Sequence, residues 1–327
     1  TVATIPMLKA SDINPVATYF AAQETKTGEV PTLFYPAFTN GVVYVRCYFD
    51  MRTLPADLLP YASLIANTTT ALNTKNYTYG SLNQALNAGT GGFSTSLAVF
   101  QENLDDNKLL PEFFVASKAM PGKLPEMVNL TLEILLNSRF DDPERLRTVL
   151  SRHQAQLEEE MKSDGYGVAS GRAPSYFSRL GVFNQLTGGI DYYRFVTELT
   201  QNFDRDRLML EKKMNETARM LFTRNNVTFE ITCDSGDLAG VRGSMEKLAG
   251  GLPDVRTDIK AWDLVPEKRN EGILAPSKVQ FVVSGYNFKK LGFAWDGRMR
   301  VLSQILSTDW LQQSIRVIGG AYGGWSS

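Results

Sequence analysis

The only histidine of this sequence, His153, limits the metal and acid–base chemistry that the chain can support. A zinc site of the HxxEH type needs two imidazoles one helical turn apart and a carboxylate base. A single imidazole cannot supply that set, and Cys47 and Cys233 do not form a CxxC pair. No GxSxG turn accompanies a Ser-His-Asp relay, and no phosphate-binding glycine loop is present. The sequence therefore predicts no metal site and no complete catalytic centre in this chain.

The surroundings of these residues favour ordinary structural roles. His153 has Gln156 and Leu157 at the i+3 and i+4 positions of a predicted helix, so no carboxylate or second imidazole stands beside it. We predict that His153 lies on a solvated helix surface. Cys47 and Cys233 each lie inside an apolar, strand-like run and are predicted to be buried, reduced thiols.

Composition excludes several classes of partner. The 327 residues are 43% hydrophobic and 21% charged, and the net charge is −1. This balance is typical of a globular protein and provides no basic surface for nucleic acid. No apolar run reaches the roughly 18 residues that cross a bilayer, so no membrane partner is expected. The first residues show no signal peptide, and the default expectation is a cytoplasmic location, or an organellar matrix in a eukaryote.

Periodicity predicts an α+β fold in which one sheet carries helices on one face. Asn40-Gly41 separates two β-rich runs, 33–38 and 42–49, and predicts a hairpin. Further strands are predicted over 91–100, 112–119 and 227–233. The predicted helices are 55–72, 79–87, 124–138, 143–163, 173–186, 190–200, 204–223 and 237–249.

The order of these elements predicts one complete domain and part of a second. Residues 1–255 form the complete domain, and 256–277, with prolines and glycines among charges, are predicted to be a linker. In 278–327 the pattern restarts with a strand over 279–284 and helices over 296–306 and 308–315. So short a segment does not easily bury a core of its own. We expect it to be the truncated start of a second domain that self-associates or docks on the first.

Several motifs resemble one known family, the presequence-protease branch of the insulinase/pitrilysin-type zinc metallopeptidases. Four segments resemble the first domain of that family's C-terminal half, namely Thr39-Asn40-Gly41-Val42-Val43-Tyr44, Tyr48-Phe49-Asp50, Leu59-Pro60-Tyr61 and Thr90-Gly91-Gly92-Phe93-Ser94. Two more resemble the helical region that follows in the same domain, namely Ser170-Gly171-Arg172-Ala173 and Gly188-Gly189-Ile190-Asp191-Tyr192-Tyr193. One segment resembles the signature of the family's last domain, namely Arg316-Val317-Ile318-Gly319-Gly320-Ala321-Tyr322-Gly323.

The resemblance implies a division of labour between two halves of a larger enzyme. Zinc and its HxxEH-type site belong to an N-terminal half, which is then a partner of this chain together with the peptide substrate. In this chain, the predicted helix 55–72 occupies the homologous place, with Pro60, Tyr61 and Ile65 near the positions of the ligands. The resemblance also implies that Arg316 and Tyr322 reach the distant catalytic centre, and that Gly319-Gly320 lets backbone approach the substrate.

The chemistry of Arg316 and Tyr322 suits that role. Attack on a peptide carbonyl creates an oxyanion, and hydrogen-bond donors placed there are worth several kcal/mol in the transition state. A guanidinium is a permanent cation with a fork of donors, and a phenol donates one hydrogen bond from a rigid ring. The alternative interpretation is a glycine cap at a helix end, with a surface arginine and a packed tyrosine.

The segment Gly91-Gly92-Phe93-Ser94 also has two interpretations. In the catalytic domains of the family, the corresponding strand is a sheet edge to which substrate adds as an extra strand. An ordinary entry from loop to strand fits the same residues.

Two functions remain open. The chain is either the substrate-binding C-terminal half of a zinc metalloendopeptidase that degrades oligopeptides such as targeting presequences, or a non-catalytic scaffold subunit of a processing-peptidase-like complex. An HxxEH-bearing half in the same reading frame would favour the first.

Overall fold

The computed structural model describes residues 7, 9–16, 19–102, 105–267 and 269–327. Its centre is a six-stranded sheet of order β1-β2-β6-β3-β5-β4. The β2–β6 pairing is parallel, and the other pairings are antiparallel. The strands are β1 (Gln23–Thr27), β2 (Val30–Pro36), β3 (Val43–Asp50), β4 (Gly92–Glu102), β5 (Asp105–Ala119) and β6 (Val227–Cys233).

One face of the sheet is buried and the other is open. Along β3, Val45, Cys47 and Phe49 are buried, whereas Tyr44 on the opposite face is 43% exposed. Helices cover the buried face and complete the predicted α+β fold. They are α1 (Leu59–Thr68), α2 (Tyr79–Gly89), α3 (Leu124–Asn137), α4 (Pro143–Ser163), α5 (Gly165–Arg172), α6 (Arg179–Thr187), α7 (Ile190–Gln201), α8 (Phe203–Leu221) and α9 (Leu238–Gly251).

Local signals set the bounds of the best-predicted elements. Helix α4 spans 143–163, as predicted. The Asp142 carboxylate accepts from the Arg145 backbone N–H, and Pro143 occupies the first helical turn, where its missing N–H has no cost. Strand β6 also has its predicted bounds and lies in the central sheet. Cys47 and Cys233 are free and buried, as predicted, and burial raises the pKa of Cys47 to about 12.

The predicted hairpin at Asn40-Gly41 is wrong, although the turn itself is present. Asn40 and Gly41 both have positive φ, at 53° and 74°, the conformation that an Asn-Gly pair favours. However, β6 lies between the two flanking strands, parallel to β2 and antiparallel to β3. Just after β6, the Asp234 carboxylate accepts from the Thr39 N–H at 3.2 Å and holds the turn over this third strand.

The structure also departs from the predicted helix at 173–186. A 3₁₀ turn, Ala173–Tyr176, and a break separate α5, which was not predicted, from α6. Ser178 begins α6 by accepting a hydrogen bond from the Gly181 N–H. Gly181 is required here because a Cβ would lie 2.3 Å from the Pro174 carbonyl carbon.

The described residues of the segment 256–277 form no helix or strand, but they are held against the preceding domain. The indole N–H of Trp262 donates to the Leu54 carbonyl at 2.8 Å, and its ring stacks on Phe183. Leu264 is buried, and the Lys260 N–H donates to the Arg52 carbonyl. The boundaries 1–255, 256–277 and 278–327 stay a prediction.

The predicted strand at 279–284 is wrong, since this stretch is irregular and pairs with no strand in the described part of the chain. Instead, the Phe281 ring lies against α5, so close that a Cβ on Gly165 would be 2.7 Å from it. Beyond it are α10 (Arg298–Ile305) and a π-helix (Leu306–Ile318).

The end of the chain, 279–327, also docks on α5. The rings of Tyr166 and Trp325 are 5.6 Å apart, and the Lys290 ammonium donates to the Phe177 carbonyl. Many apolar side chains of this segment nevertheless stay exposed, Val282 and Ile318 among them. Self-association of the chain therefore stays a prediction. Across the described ranges, no helix combines the length and the apolar character needed to span a bilayer.

Candidate functional site

The residues Arg316, Gly319, Gly320 and Tyr322 come together at the end of the π-helix. Gly319 closes the helix, and a Cβ there would lie 2.6 Å from the Ile315 carbonyl oxygen. Gly320 has φ +70° and donates its N–H to the Arg316 carbonyl, so that the chain reverses. The reversal places the Arg316 guanidinium carbon 6.0 Å from the centre of the Tyr322 ring.

Both of these side chains face solvent. Tyr322 is 85% exposed, and Arg316 forms no ion pair within the described residues. A guanidinium and a phenol hydroxyl are therefore free to donate to a group outside this chain. The geometry is compatible with the predicted donor pair and also with the glycine cap, since the same turn creates both.

The second candidate segment begins the edge strand β4. The Gly91 N–H donates to the Lys118 carbonyl at 2.7 Å, and the Gly92 carbonyl accepts from the Ser117 hydroxyl at 2.9 Å. Gly92 has φ +149°, which only glycine adopts readily. The Phe93 ring packs against the core, and Ser94 is exposed. These residues set the register of an exposed strand that pairs with β5 on one side and, in the part of the chain described, with no strand on the other.

The two edges of the sheet differ in chemistry. Strand β1 is five residues long and carries Glu24 and Lys26, charges of the kind that protect an edge from added strands. Strand β4 is eleven residues long, and no charged side chain occurs before Glu102 at its end. The β4 edge is thus long, uncharged and open to another strand.

A cavity of about 870 Å³ lies beside this edge. Its walls come from β4, the second half of α1, the α4–α5 junction and the α6–α7 turn. Two hydrogen bonds fix this frame. The Thr95 hydroxyl donates to the Ala66 carbonyl of α1 at 2.7 Å, and the Ser63 hydroxyl donates to the Thr187 carbonyl at 2.5 Å.

A smaller cavity of about 310 Å³ adjoins the first and is lined by His153. The prediction that His153 lies on a solvated helix surface is wrong. His153 is only 7% exposed, and its Nε2 lies 2.9 Å from the Tyr192 hydroxyl. The reason is the apolar stripe of α4, since Leu146, Val149 and Leu150 are buried and His153 continues their spacing. That spacing is a sequence signal that places His153 on the buried side of the helix.

We expect the stability of the chain to depend on pH through His153. Burial lowers the pKa of His153, so below a pKa of about 6.5 the unfolded chain binds a proton that the folded chain resists. The stability advantage of the wild type over His153→Gln should therefore shrink between pH 7.5 and pH 5.5. Urea unfolding at both pH values measures it. An advantage that stays constant or grows on acidification would show that the ring is not held neutral.

Arg172 joins the two helical motifs of the sequence and was not predicted as a site residue. Its side chain is only 7% exposed and donates to Asp191 at 2.8 Å and to Glu271 at 2.7 Å. The side-chain oxygen Oε1 of Gln185 accepts hydrogen bonds from the Arg172 guanidinium at 3.2 Å and from the Ile190 N–H at 3.0 Å. The hydrogen bonds from Arg172 help hold the pKa of Glu271 at about 2. Helices α5, α6 and α7 and the segment 256–277 are thus tied at one guanidinium.

No metal-binding set is found among the described residues, where no three His, Cys, Asp or Glu side chains cluster suitably. Tyr61 and Ile65, predicted to lie where ligands would stand, are buried side chains of α1. The Tyr61 ring packs edge-on against Phe195, and Pro60 is in the first turn of the same helix.

The two candidate segments occupy different parts of the fold. The Arg316–Tyr322 pair lies beyond the π-helix, in the part of the chain that docks on α5, whereas Gly91-Gly92-Phe93-Ser94 begins the edge strand of the sheet. The hydrogen bonds of Gly91 and Gly92 are made within the sheet and the loop before it. The structure therefore brings Arg316, Gly319, Gly320 and Tyr322 together as one group and leaves the β4 segment as another.

Comparison with known proteins identifies the family of the chain. The family model described as peptidase M16 (subfamily C) associated matches residues 1–199. The chain belongs to this family.

Two curated relatives align over nearly the whole chain. Protein HypA of Clostridium perfringens is 27% identical over 99% of this chain and 33% of its own length. Presequence protease 1, chloroplastic/mitochondrial, of Arabidopsis thaliana is 29% identical over 98% of this chain and 30% of its own. The chain thus spans about a third of the length of these relatives. A solved peptidase M16 inactive domain from Pseudomonas fluorescens has a TM-score of 0.49 and 14% identity, covering 73% of this chain and 53% of that one.

Proposed function

We propose that this chain is the substrate-binding C-terminal half of a zinc metalloendopeptidase that degrades oligopeptides such as targeting presequences. Membership of this peptidase-associated family and a relative named as a presequence protease support the class of enzyme. The observation that carries the substrate-binding role is the open, uncharged edge of β4 beside a large cavity. An extended peptide adds to such an edge through main-chain hydrogen bonds.

Zinc belongs to the N-terminal half in this proposal. The described residues of the present chain do not fit it, because no suitable ligand cluster is found and the one imidazole is buried against Tyr192. This chain contributes hydrogen-bond donors to the reaction. Arg316 and Tyr322 would hydrogen-bond the oxyanion that forms when the peptide carbonyl is attacked.

A scaffold subunit of a processing-peptidase-like complex is the alternative, and the comparisons do not favour it. Such a subunit needs neither an exposed pair of donors nor an open strand edge. The compartment follows the host in our proposal, with an organellar matrix in a eukaryote and cytoplasm in a bacterium.

Amide hydrogen exchange tests the proposed peptide site. When a β-forming peptide is added to the chain, exchange should slow at alternate residues of 92–101, because every second N–H of an edge strand faces outward. Strand β1, the charged edge, is the internal control and should keep its exchange rates. Saturable binding without added protection in β4 would place the peptide elsewhere and remove the basis of the proposal.

A further inference from the structure

The two cavities adjoin each other. They share Asn67, Glu160, Thr187 and Gly188 as walls, and the larger one is also lined by Ser96, Leu97 and Val99 of β4. The larger cavity therefore borders the edge strand. A peptide strand added to β4 would therefore have side chains directed toward this site. The inner cavity has a volume of about 310 Å³.

The charged side chains that line the two cavities are all negative. Among the described residues that line the two cavities, Glu160 and Asp164 carry the only permanent charges, and both are carboxylates. Asp164 accepts from the Gly167 N–H as the cap of α5. The Glu160 side chain has no hydrogen bond or ion pair within the described structure, and it stands where the two cavities meet.

The rest of the inner wall is polar and neutral. His153 adds no positive charge near neutral pH, because burial lowers its pKa. Tyr192 stays protonated, since burial raises the pKa of its phenol. Asn67 lines the cavity and donates its side-chain amide to the Ser63 carbonyl at 2.8 Å. No lysine or arginine among the described lining residues neutralises Glu160.

We propose that this pocket is a specificity subsite for a basic side chain, Lys or Arg, of a peptide that adds to the β4 edge. The inference rests on the proposed peptide-binding function and adds the side-chain chemistry that the site selects. A cationic group entering the pocket meets the exposed, unpaired carboxylate of Glu160, and no lysine or arginine among the described lining residues competes with it. An acidic side chain would meet only like charge.

Binding of four matched peptides tests this. The probes are fluorescent decapeptides of alternating Thr and Val that differ only at one central residue, which is Lys, Arg, norleucine or Glu. Fluorescence anisotropy with the chain should show Lys and Arg binding about fivefold more tightly than norleucine, and Glu most weakly. In Glu160→Gln the preference for Lys over norleucine should fall to near unity, while the norleucine peptide keeps its affinity. Glu159→Gln, a neighbour that is likewise exposed but lines neither cavity, is the matched control and should keep the preference.

The outcomes separate this inference from the proposed function. Peptides that bind with protection of β4 but without preference for a cation, or a preference that survives Glu160→Gln, would overturn the subsite and leave the peptide site intact. If no peptide protects β4, both fail. If residues 92–101 become protected with rising concentration of the chain alone, the edge is occupied by a second copy, and the subsite is likewise refuted.

Discussion

In the proposed enzyme, whose zinc-bearing N-terminal half would supply the catalytic centre, Arg316→Ala is expected to lower kcat by roughly 10²–10³-fold. Tyr322→Phe should lower it in the same direction, since it removes the second donor and keeps the ring. The reason is geometric, because one glycine turn places the guanidinium 6.0 Å from the Tyr322 ring and leaves both side chains exposed. Steady-state kinetics on a peptide substrate, with circular dichroism to confirm folding, provides the measurement.

Two variants are matched controls for this experiment. Arg300→Ala and Tyr286→Phe remove the same groups from exposed positions in the same part of the chain and should leave kcat unchanged. If Arg316 and Tyr322 act on one oxyanion, the double variant should lose less than the product of the two single losses. Wild-type kinetics in both single variants would assign the turn to the helix cap alone.

Arg172→Met is expected to lower the free energy of unfolding by about 2 kcal/mol. The substitution keeps the bulk of the side chain but leaves the carboxylates of Asp191 and Glu271 without their cation. These carboxylates are 37% and 22% exposed, so water offsets part of the roughly 3–5 kcal/mol that breaking a fully buried ion pair costs. Arg194→Met is the control, because Arg194 reaches the same Asp191 at 3.6 Å but is 63% exposed and should contribute less than about 1 kcal/mol. Equal, small effects in both variants would refute a stabilising role for Arg172.

The same ion pair predicts a pH window. Because the pKa of Glu271 is about 2 in the folded chain, below the ordinary value of about 4.3, its ionised form stabilises the fold. The stability difference between wild type and Glu271→Gln should be full above about pH 5 and disappear as the pH falls toward 2. Denaturant unfolding of both proteins across this range measures it. A difference that persists at pH 2 would show that shape, and not charge, is what Gln changes.

Elements with strong local signals were predictable from the sequence, and those that depend on distant pairing were not. Helix α4 has its predicted bounds because its cap and apolar spacing are local, and β6 because its apolar and polar residues alternate over seven positions. The hairpin at Asn40-Gly41 was wrong because β6, about 190 residues later, has the right alternation to pair with both flanking strands. The Asn-Gly turn does not encode that insertion.

The candidate site also has parts that could be predicted from the sequence and parts that could not. The approach of Arg316 to Tyr322 follows from adjacent glycines and could be predicted from the sequence motif. The cavity beside β4 needs walls from several helices, and the Arg172–Glu271 pair spans 99 residues, so neither leaves a local signal. The spacing of the buried residues of α4 indicates that His153 is buried. No local pattern indicates that Tyr192 is its partner, because the two residues meet only through the packing of α7 on α4.

The central claim is that this chain binds peptide for a catalytic centre that another half supplies. It is tested most directly by measuring zinc content and cleavage of a presequence peptide, first with the purified chain alone and then after mixing it with a purified HxxEH-bearing N-terminal half. The account predicts no stoichiometric zinc and no cleavage for the chain alone, and cleavage on mixing that depends on Arg316. About one zinc per chain, lost in His153→Gln, together with cleavage by the chain alone, would contradict it.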